Sequence, residues 1–166
     1  MVEKNQDHTD TVFSSIEDAI EAVAQGKMII VVDDKNRENE GDLFMAAELI
    51  TPEQVNFMIT KGKGLLCAPI TVDIAKRLDI PLMTLENSER QGTKFTISVD
   101  VTAGTTTGIS ASERAKTLVA LADPKTSELE NPPTKVIICT SDKFSRPLMR
   151  SVMCISLTSK PARYRA

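Results

Sequence analysis

The sequence predicts an α/β fold in which a mixed sheet is flanked by helices within a single domain. Three observations support this prediction. The chain has 166 residues and is 41% hydrophobic, which is enough for one core. Short apolar runs rich in β-branched residues, typical of strands, alternate with segments whose apolar residues recur at helical spacing. Each helical segment also begins with a serine or threonine suited to N-capping.

The first elements are a helix and two strands. Ser15 opens an amphipathic helix whose apolar residues share one face, and Gly26 ends it. Residues 28–32 form a continuous apolar run, which indicates a buried strand at 28–33. Residues 43–47 are a second predicted strand.

The middle of the chain carries clear helix signals. Residues 51–54, Thr-Pro-Glu-Gln, form a capping-box start for the second helix, which Gly62 ends. Residues 65–70 are predicted to be a strand, and Thr71 then caps a short helix that reaches Leu78.

The remaining elements follow a polar loop at residues 84–93. Residues 95–100 alternate as a half-buried strand, and residues 110–113 form a second capping box. We expect the helix that follows to bury four side chains, those of Ala115, Leu118, Val119 and Ala122. Two short apolar runs, at 136–139 and 152–157, are the last predicted strands.

An acidic segment directly follows the first strand. Residues 33–42 hold five carboxylates and one arginine, and such crowding costs free energy unless a cation, a positive substrate group or shared protons offset it. Gly41 permits unusual backbone conformations, and Arg37 offers a fork for an anion. The segment is a candidate site for a hard metal ion and a polyol or phosphate, the alternative being a solvated loop. Asn39 and Met45 exclude an EF-hand, which requires glycine and glutamate there.

A second polar cluster precedes the last predicted helix. Residues 105–108 read Thr-Thr-Thr-Gly and lead into the capping box that begins at Ser110. Hydroxyls and free backbone N–H groups at a helix start form an anion site that suits a phosphate. The alternative is an ordinary capped helix with a threonine-rich approach.

Bulk properties exclude several classes of function. The net charge of -3 argues against general nucleic-acid binding, and we expect no membrane partner because no apolar run approaches the roughly 20 residues that span a bilayer. The polar N-terminus lacks a secretory signal, so a cytoplasmic location is predicted. Three distant cysteines give neither a disulfide framework nor a zinc motif, and each suits a small buried position. The single histidine, His8, argues against catalytic triads and histidine-rich metal sites.

Four segments, in this order, resemble 3,4-dihydroxy-2-butanone 4-phosphate synthase. They are residues 33–42, the Gly-Leu-Leu-Cys strand at 64–67, residues 95–100 and the Thr-Thr-Gly-Ile-Ser-Ala segment at 106–111. The likeness runs from about residue 13 to residue 126. It implies a lyase of riboflavin biosynthesis that converts D-ribulose 5-phosphate into 3,4-dihydroxy-2-butanone 4-phosphate and formate. It also implies Mg²⁺ or Mn²⁺ as cofactor and a homodimer with active sites near the subunit interface.

The resemblance also assigns roles to single residues. Glu38 matches the metal-binding carboxylate. The positions implied to contact substrate are Arg37, Glu38, Asp42, Thr106 and Thr107. The positions implied to lie near the reaction centre, as catalytic candidates, are Glu40, Asp42 and Cys67.

The likeness stops after Thr126. Residues 130–134 stand where the family has segments that carry a second, histidine metal ligand, and no histidine follows His8. We therefore predict a flexible segment at 1–12, a synthase-like domain at 13–126 and a divergent tail at 127–166. The C-terminal part is thus expected to be incomplete relative to the family. A frameshift, altered splicing or a gene-model error would produce such a tail. The alternative functions are a catalytically impaired sugar-phosphate-binding or dimerising relative and an unstable fragment.

Overall fold

The computed structural model confirms the predicted α/β class and mixed sheet. The residues that it describes are 13–32, 41–86, 88, 94–126, 129–130, 137–140 and 152–157. Its helices are α1 (Ile16–Ala24), α2 (Pro52–Phe57), α3 (Val72–Arg77) and α4 (Ala111–Ala122). Its strands are β1 (Ile29–Val32), β2 (Gly41–Ala46), β3 (Leu66–Ile70), β4 (Lys94–Phe95), β5 (Asp100–Val101), β6 (Leu129–Glu130), β7 (Ile137–Thr140) and β8 (Val152–Leu157). The segment at 1–12 lies outside the described residues, and the predicted division of the chain stays a prediction.

Six strands form one sheet in the order β1-β2-β8-β3-β7-β4, and β5 pairs with β6 in a second, two-stranded sheet. β3 and β7 are parallel, and every other pair in the large sheet is antiparallel. β8 lies between β2 and β3, although it comes last along the chain. The predicted strands at 136–139 and 152–157 are therefore confirmed as central members of the sheet.

The core lies on one face of this sheet. Alternate residues of β2 and β3 face it, because successive side chains of a strand point to opposite faces. α2 and α4 pack against each other, and α4 also contacts the short 3₁₀ turn Ala47–Leu49. The most deeply buried apolar side chains of this core are Met45, Val55, Met58, Val99 and Leu118.

All four helix starts agree with the sequence. The side chains of Ser15, Thr51, Thr71 and Ser110 each accept a hydrogen bond from a backbone N–H in the first turn of their helix. The end of the second helix is more complex than predicted. α2 continues as a π-helical turn, Met58–Gly62, and Lys63 rather than Gly62 adopts the left-handed conformation, with φ 55°.

The prediction that the first strand is buried is wrong. Among the described strands β1 pairs with β2 alone, at the edge of the sheet, and Ile30 is 63% exposed. Val31 and Val32 are exposed as well, and the neighbouring helix α1 buries none of its own residues. β-branched residues favour an extended backbone, but burial depends on what packs over the strand.

The predicted strand at 95–100 is divided between the two sheets. β4 pairs with β7, whereas β5 pairs with β6. Between them, Thr96 forms an isolated bridge with Leu82. Burial does not follow the alternation in the sequence, because Thr96, a polar position of the pattern, is fully buried together with Val99.

The prediction for the buried face of α4 is partly wrong. Ala115 and Leu118 are buried as expected, but Val119 is 40% exposed. Leu121 is buried in its place, and Ala122 is only partly buried against the core. The apolar stripe is therefore rotated toward α2 and the 3₁₀ turn, the elements against which α4 packs.

Candidate active site and threonine loop

The acidic segment connects the two strands of a hairpin. Val32 pairs with Gly41 and Val31 with Asp42, so the register of β1 and β2 brings the two ends of this segment together. Arg37, Glu38 and Glu40 belong to residues 33–40, which lie outside the described part of the chain. Asp42 is the one candidate of this segment whose position is described, and it is partly buried within β2.

Asp42 and Cys67 lie on the same face of the large sheet. Phe44 of β2 and Cys67 of β3 both pair with residue 154 of β8, so they occupy one row and share a face. Asp42 is two residues before Phe44 and shares that face too. From the strand spacing and the rise per residue, the Cα atoms of Asp42 and Cys67 are roughly 12 Å apart. This face is opposite to the one that carries the helical core.

Cys67 is a buried cysteine. It is 9% exposed but is not part of the helical core, to which its neighbours Leu66 and Ala68 belong. The thiol therefore lies among residues of the other sheet face. Its position near a reaction centre stays a prediction.

The threonine loop, residues 104–110, is held from one side by the carboxylate of Glu113. Oε1 accepts hydrogen bonds from the Thr106 backbone N–H at 2.6 Å and from the Thr106 hydroxyl at 2.8 Å. Oε2 accepts from the Ser110 hydroxyl at 3.1 Å and from the Ser110 N–H at 3.4 Å. One carboxylate thus joins both ends of the stretch from Thr106 to Ser110.

These bonds change the acidity of Glu113. The hydroxyl of Thr106 and then its backbone N–H are the main causes that lower the pKa of Glu113 from 4.5 to about 2. The bonds from Ser110 act in the same direction, and partial burial opposes them. Glu113 is therefore ionised throughout the physiological pH range.

A buried carboxylate supports the loop from the other side. Asp100 is 4% exposed, and its carboxylate contacts the backbone of Gly108 so closely that a Cβ atom there would lie 1.7 Å from Oδ2. The hydroxyl of Thr117 lies 3.4 Å from Asp100 Oδ1. Arg114 is nearby: burial lowers the pKa of its guanidinium, and the charge of Asp100 opposes that change.

Two further bonds fix the start of the loop. The Thr105 hydroxyl donates to the backbone carbonyl of Val101 at 2.5 Å, and Lys116 Nζ donates to the carbonyl of Gly104 at 2.7 Å. Gly104 and Gly108 have φ values of +74° and +63°, which glycine tolerates far better than other residues. The loop is thus a defined structure organised by α4.

The two predicted threonines differ in their surroundings. Both are exposed, but the N–H and hydroxyl of Thr106 are occupied by Glu113. Within the described part of the chain, the hydroxyl of Thr107 makes no hydrogen bond. Glu113 also fills part of the anion site predicted at the start of α4, so Thr107 is the better placed of the two to donate to a ligand.

Among the residues that the structure describes, the candidates fall into two groups. α4 packs on the core face of the sheet, whereas Asp42 and Cys67 lie on the other face. Sequence reasoning identified Glu113 only as the partner of Ser110 and did not identify Asp100 as a loop support. The capping-box spacing revealed the first contact, but Thr106 is seven residues from Glu113 and no local pattern links them.

The described residues contain no cluster of three or more His, Cys, Asp or Glu side chains that could hold a metal ion. The carboxylates of residues 33–42, with Asp42 at the start of β2, are the oxygen donors that Mg²⁺ and Mn²⁺ prefer, so their chemistry fits such an ion. Among the described helices, none has the length and apolar character needed to cross a bilayer.

A cleft of about 490 Å³ lies between α3 and the residues around β4. Its lining includes Lys76, Asp79, Ile80 and Lys94. Of the predicted site residues that the structure describes, namely Asp42, Cys67, Thr106 and Thr107, none lines this cleft.

Comparison with known proteins covers both polar segments. The family model for 3,4-dihydroxy-2-butanone 4-phosphate synthase matches residues 17–145. The chain is 52% identical over 116 residues to the riboflavin biosynthesis protein RibBA of Salinispora arenicola, covering 70% of this chain and 28% of that protein. It is 54% identical over 108 residues to the 3,4-dihydroxy-2-butanone 4-phosphate synthase of Agrobacterium fabrum, covering 65% of this chain and 51% of that one. The chain thus spans about half or less of the length of these relatives.

Solved structures share the fold. A crystal structure of 3,4-dihydroxy-2-butanone 4-phosphate synthase in complex with two magnesium ions matches with a TM-score of 0.80 and 32% identity, over 93% of this chain and 81% of that one. A two-domain synthase from A. baumannii matches with a TM-score of 0.77 and 29% identity, over 89% of this chain and 48% of that one. The sheet and its helices therefore define a mixed α/β domain of the type found in riboflavin biosynthesis proteins. The chain belongs to the 3,4-dihydroxy-2-butanone 4-phosphate synthase family.

Proposed function

We propose that this protein is a lyase that converts D-ribulose 5-phosphate into 3,4-dihydroxy-2-butanone 4-phosphate and formate in riboflavin biosynthesis. The family match over residues 17–145 carries the proposal, because it includes the acidic segment, Cys67 and the threonine loop. This chain covers about half or less of the length of these relatives. The activity of the complete relatives is therefore proposed for this chain.

The acidic segment supplies the groups that this chemistry needs. Proton abstraction beside a ketone and loss of formate require groups that take and return protons. Glu40 and Asp42 are our candidates, because the resemblance places both near the reaction centre and each is a carboxylate that can accept and return a proton. Arg37 would orient the polyol or offset the local negative charge.

Glu38 would hold Mg²⁺ or Mn²⁺, with Arg37, Asp42 and Glu38 itself contacting the substrate. The metal would supply Lewis-acid polarisation of the vicinal substrate oxygens. The support is the all-oxygen donor set of the segment and the two magnesium ions in one solved relative. Cys67 shares a sheet face with Asp42 and would border the reaction centre.

The phosphate would bind at the threonine loop. Thr107 has an exposed side chain and lies at the approach to the N-terminus of α4, where backbone N–H groups favour an anion. Thr106 would support the phosphate site as the neighbour of Thr107, because its own N–H and hydroxyl donate to Glu113.

A homodimer is part of the proposal. Asp42 and Cys67 lie on the sheet face opposite to the helical core, and that face would be near the interface. The support is the family resemblance, which implies active sites near the subunit interface. The remaining expectations, a cytoplasmic location and no nucleic-acid or membrane partner, rest on the composition of the sequence.

Formate release tests the activity. Purified protein is incubated with D-ribulose 5-phosphate and Mg²⁺, and Glu38→Ala and Glu48→Ala are compared with the parent. Glu48 is a matched control because it is an exposed carboxylate on the 3₁₀ turn, outside the proposed site. We expect release from the parent and from Glu48→Ala, and a loss of at least about a hundredfold in Glu38→Ala. Equal release from all three proteins would contradict the proposed role of Glu38.

A catalytically impaired sugar-phosphate-binding relative is the second candidate. The observation in its favour is that no histidine follows His8 in this sequence, whereas the resemblance implies a second metal ligand that is a histidine. Calorimetry separates the two candidates. Binding of ribulose 5-phosphate without formate release supports the impaired relative. If the protein does not bind ribulose 5-phosphate, this second candidate is excluded.

A further inference from the structure

We propose that Glu113 is a positioning residue of the phosphate site, which holds Thr106 and Ser110 so that Thr107 between them is presented to the ligand. The proposal rests on the proposed function, and it adds a residue outside the candidate set derived from the sequence. Glu113 itself would not touch the substrate. Its two carboxylate oxygens would act through the backbone of the threonine loop.

The geometry of the contacts gives each oxygen a separate partner. Oε1 accepts both hydrogen bonds from Thr106, at 2.6 and 2.8 Å, and Oε2 accepts both from Ser110, at 3.1 and 3.4 Å. Thr107 lies between these two fixed residues. Hydrogen bonds to an ionised acceptor are stronger than those between neutral groups, so the carboxylate restricts the movement of both residues.

The opposite side of the loop is equally restricted. Gly108 contacts the buried carboxylate of Asp100, which leaves no space for the backbone to move inward. The loop is therefore held between Glu113 and Asp100. Thr107 is exposed at this point, so its hydroxyl is available on the solvent side.

Comparison with α2 shows that Glu113 does more than cap a helix. In the α2 capping box, Gln54 uses a single oxygen, which accepts from the Thr51 N–H at 2.9 Å. Its Nε2 donates elsewhere, to the carbonyl of Gly26 at 3.2 Å. One oxygen is therefore sufficient for capping, and the second oxygen of Glu113 serves Thr106, outside the box.

Glu113→Gln tests whether both carboxylate oxygens are needed. One oxygen becomes an NH₂ group, so either Thr106 or Ser110 loses its acceptor, whichever way the amide is oriented. The helix start survives, because Ser110 Oγ accepts from the backbone N–H of residue 113, at 3.1 Å. The variant also loses one negative charge, which by electrostatics alone would strengthen the binding of a phosphate. Weaker phosphate binding would therefore report lost positioning and not changed charge.

The test titrates inorganic phosphate into the full chain and follows the backbone amide signals of Thr107 and Gly108 by NMR. We expect Glu113→Gln to raise the phosphate Kd about tenfold, the effect of one lost charged hydrogen bond. In the enzyme assay, KM for ribulose 5-phosphate should rise by a similar factor while kcat changes less than about twofold. Gln54→Ala is the control: it should lower Tm and leave the phosphate Kd unchanged.

A second variant keeps the test decisive if Glu113→Gln folds poorly. Thr106→Val removes the hydroxyl contact with Glu113 and should weaken phosphate binding as well. If Glu113→Gln does fold and both residues act through this contact, the double variant should weaken binding by less than the product of the two single effects.

The outcomes distinguish the two proposals. If the parent binds phosphate and Glu113→Gln binds it equally well or more tightly, Glu113 is only a cap and the positioning role is overturned. If the parent itself shows no amide shift at Thr107 and Gly108, the phosphate site is overturned, and the role of Glu113 with it. Weaker phosphate binding by Glu113→Gln, together with unchanged binding by Gln54→Ala, supports both the phosphate site and the positioning role of Glu113.

Discussion

The carboxylate of Asp100 occupies the space that a side chain at Gly108 would need. A Cβ atom on Gly108 would lie 1.7 Å from Asp100 Oδ2 and 2.4 Å from Cγ. Gly108 also has φ +63°, a region that L-residues rarely adopt. The position therefore requires glycine for two independent reasons, and the threonine loop rests on a buried charge.

Gly108→Ala should be more harmful than the same change at Gly104. Both glycines have positive φ, so each alanine carries a conformational cost of about 1 kcal/mol. At Gly104 the nearest atom is Lys116 Nζ at 3.3 Å, the end of a flexible side chain, whereas at Gly108 a buried carboxylate must move. We expect Gly108→Ala to lower the free energy of unfolding by more than about 2 kcal/mol in urea titrations. An equal loss of unfolding free energy in the two variants would show that the Asp100 carboxylate can move aside at little cost.

The contribution of Glu113 to stability should depend on pH. The pKa of Glu113 is about 2 in the folded protein, against 4.5 as its ordinary value. Because the folded pKa is the lower one, the stabilisation is complete above the unfolded pKa and is lost as the pH falls toward 2. We expect the difference in urea midpoint between the parent and Glu113→Gln to be constant above about pH 5 and to narrow below it. A difference that does not change between pH 6 and pH 3 would contradict this assignment.

Leu118 and Val119 are adjacent in α4 but differ in burial. Leu118 is fully buried, whereas Val119 is 40% exposed. Leu118→Ala should lower the free energy of unfolding by about 2 to 5 kcal/mol, because it leaves a cavity in the core. Val119→Ala should change it by less than about 0.5 kcal/mol. Thermal and urea unfolding of both variants provide the comparison, and a large loss for Val119→Ala would place the core face of α4 where the sequence first suggested.

Arg77 ties the end of α3 to the turn that follows α4. Its Nη1 donates to the backbone carbonyl of Pro124 at 3.0 Å and to that of Thr126. Arg77→Ala should lower the free energy of unfolding by about 1 kcal/mol, since the side chain is exposed and water replaces the lost donors. The neighbouring Lys76→Ala should have a smaller effect. Urea midpoints of the two variants measure the difference. Equal losses of stability for Arg77→Ala and Lys76→Ala would mean that the two hydrogen bonds of Arg77 do not contribute to stability.

The sequence predicted the helix starts because their signals are local. Ser15, Thr51, Thr71 and Ser110 cap helices through contacts within one turn, and such contacts follow directly from residue type and spacing. The central strands were predicted for a similar reason, since continuous apolar runs favour buried extended chain.

Burial and strand continuity were harder to predict because they depend on distant partners. The first strand has the composition of a core strand, yet β1 lies at the sheet edge. The alternation at residues 95–100 suggested one strand, yet the chain bends and joins two sheets. Neither pairing is encoded near the residues concerned.

The amino-acid sequence alone determined the α/β class, the helix starts, the family resemblance and the identity of the candidate side chains. Tertiary structure decided which of them share a surface. It placed Asp42 and Cys67 on one sheet face through β8, a strand more than 80 residues after Cys67 in the chain. It also joined Glu113 to Thr106 and Asp100 to Gly108. Residue type fixes the chemistry of a group, but only the folded chain fixes its neighbours, because strand pairing and helix packing bring together residues that are far apart in sequence.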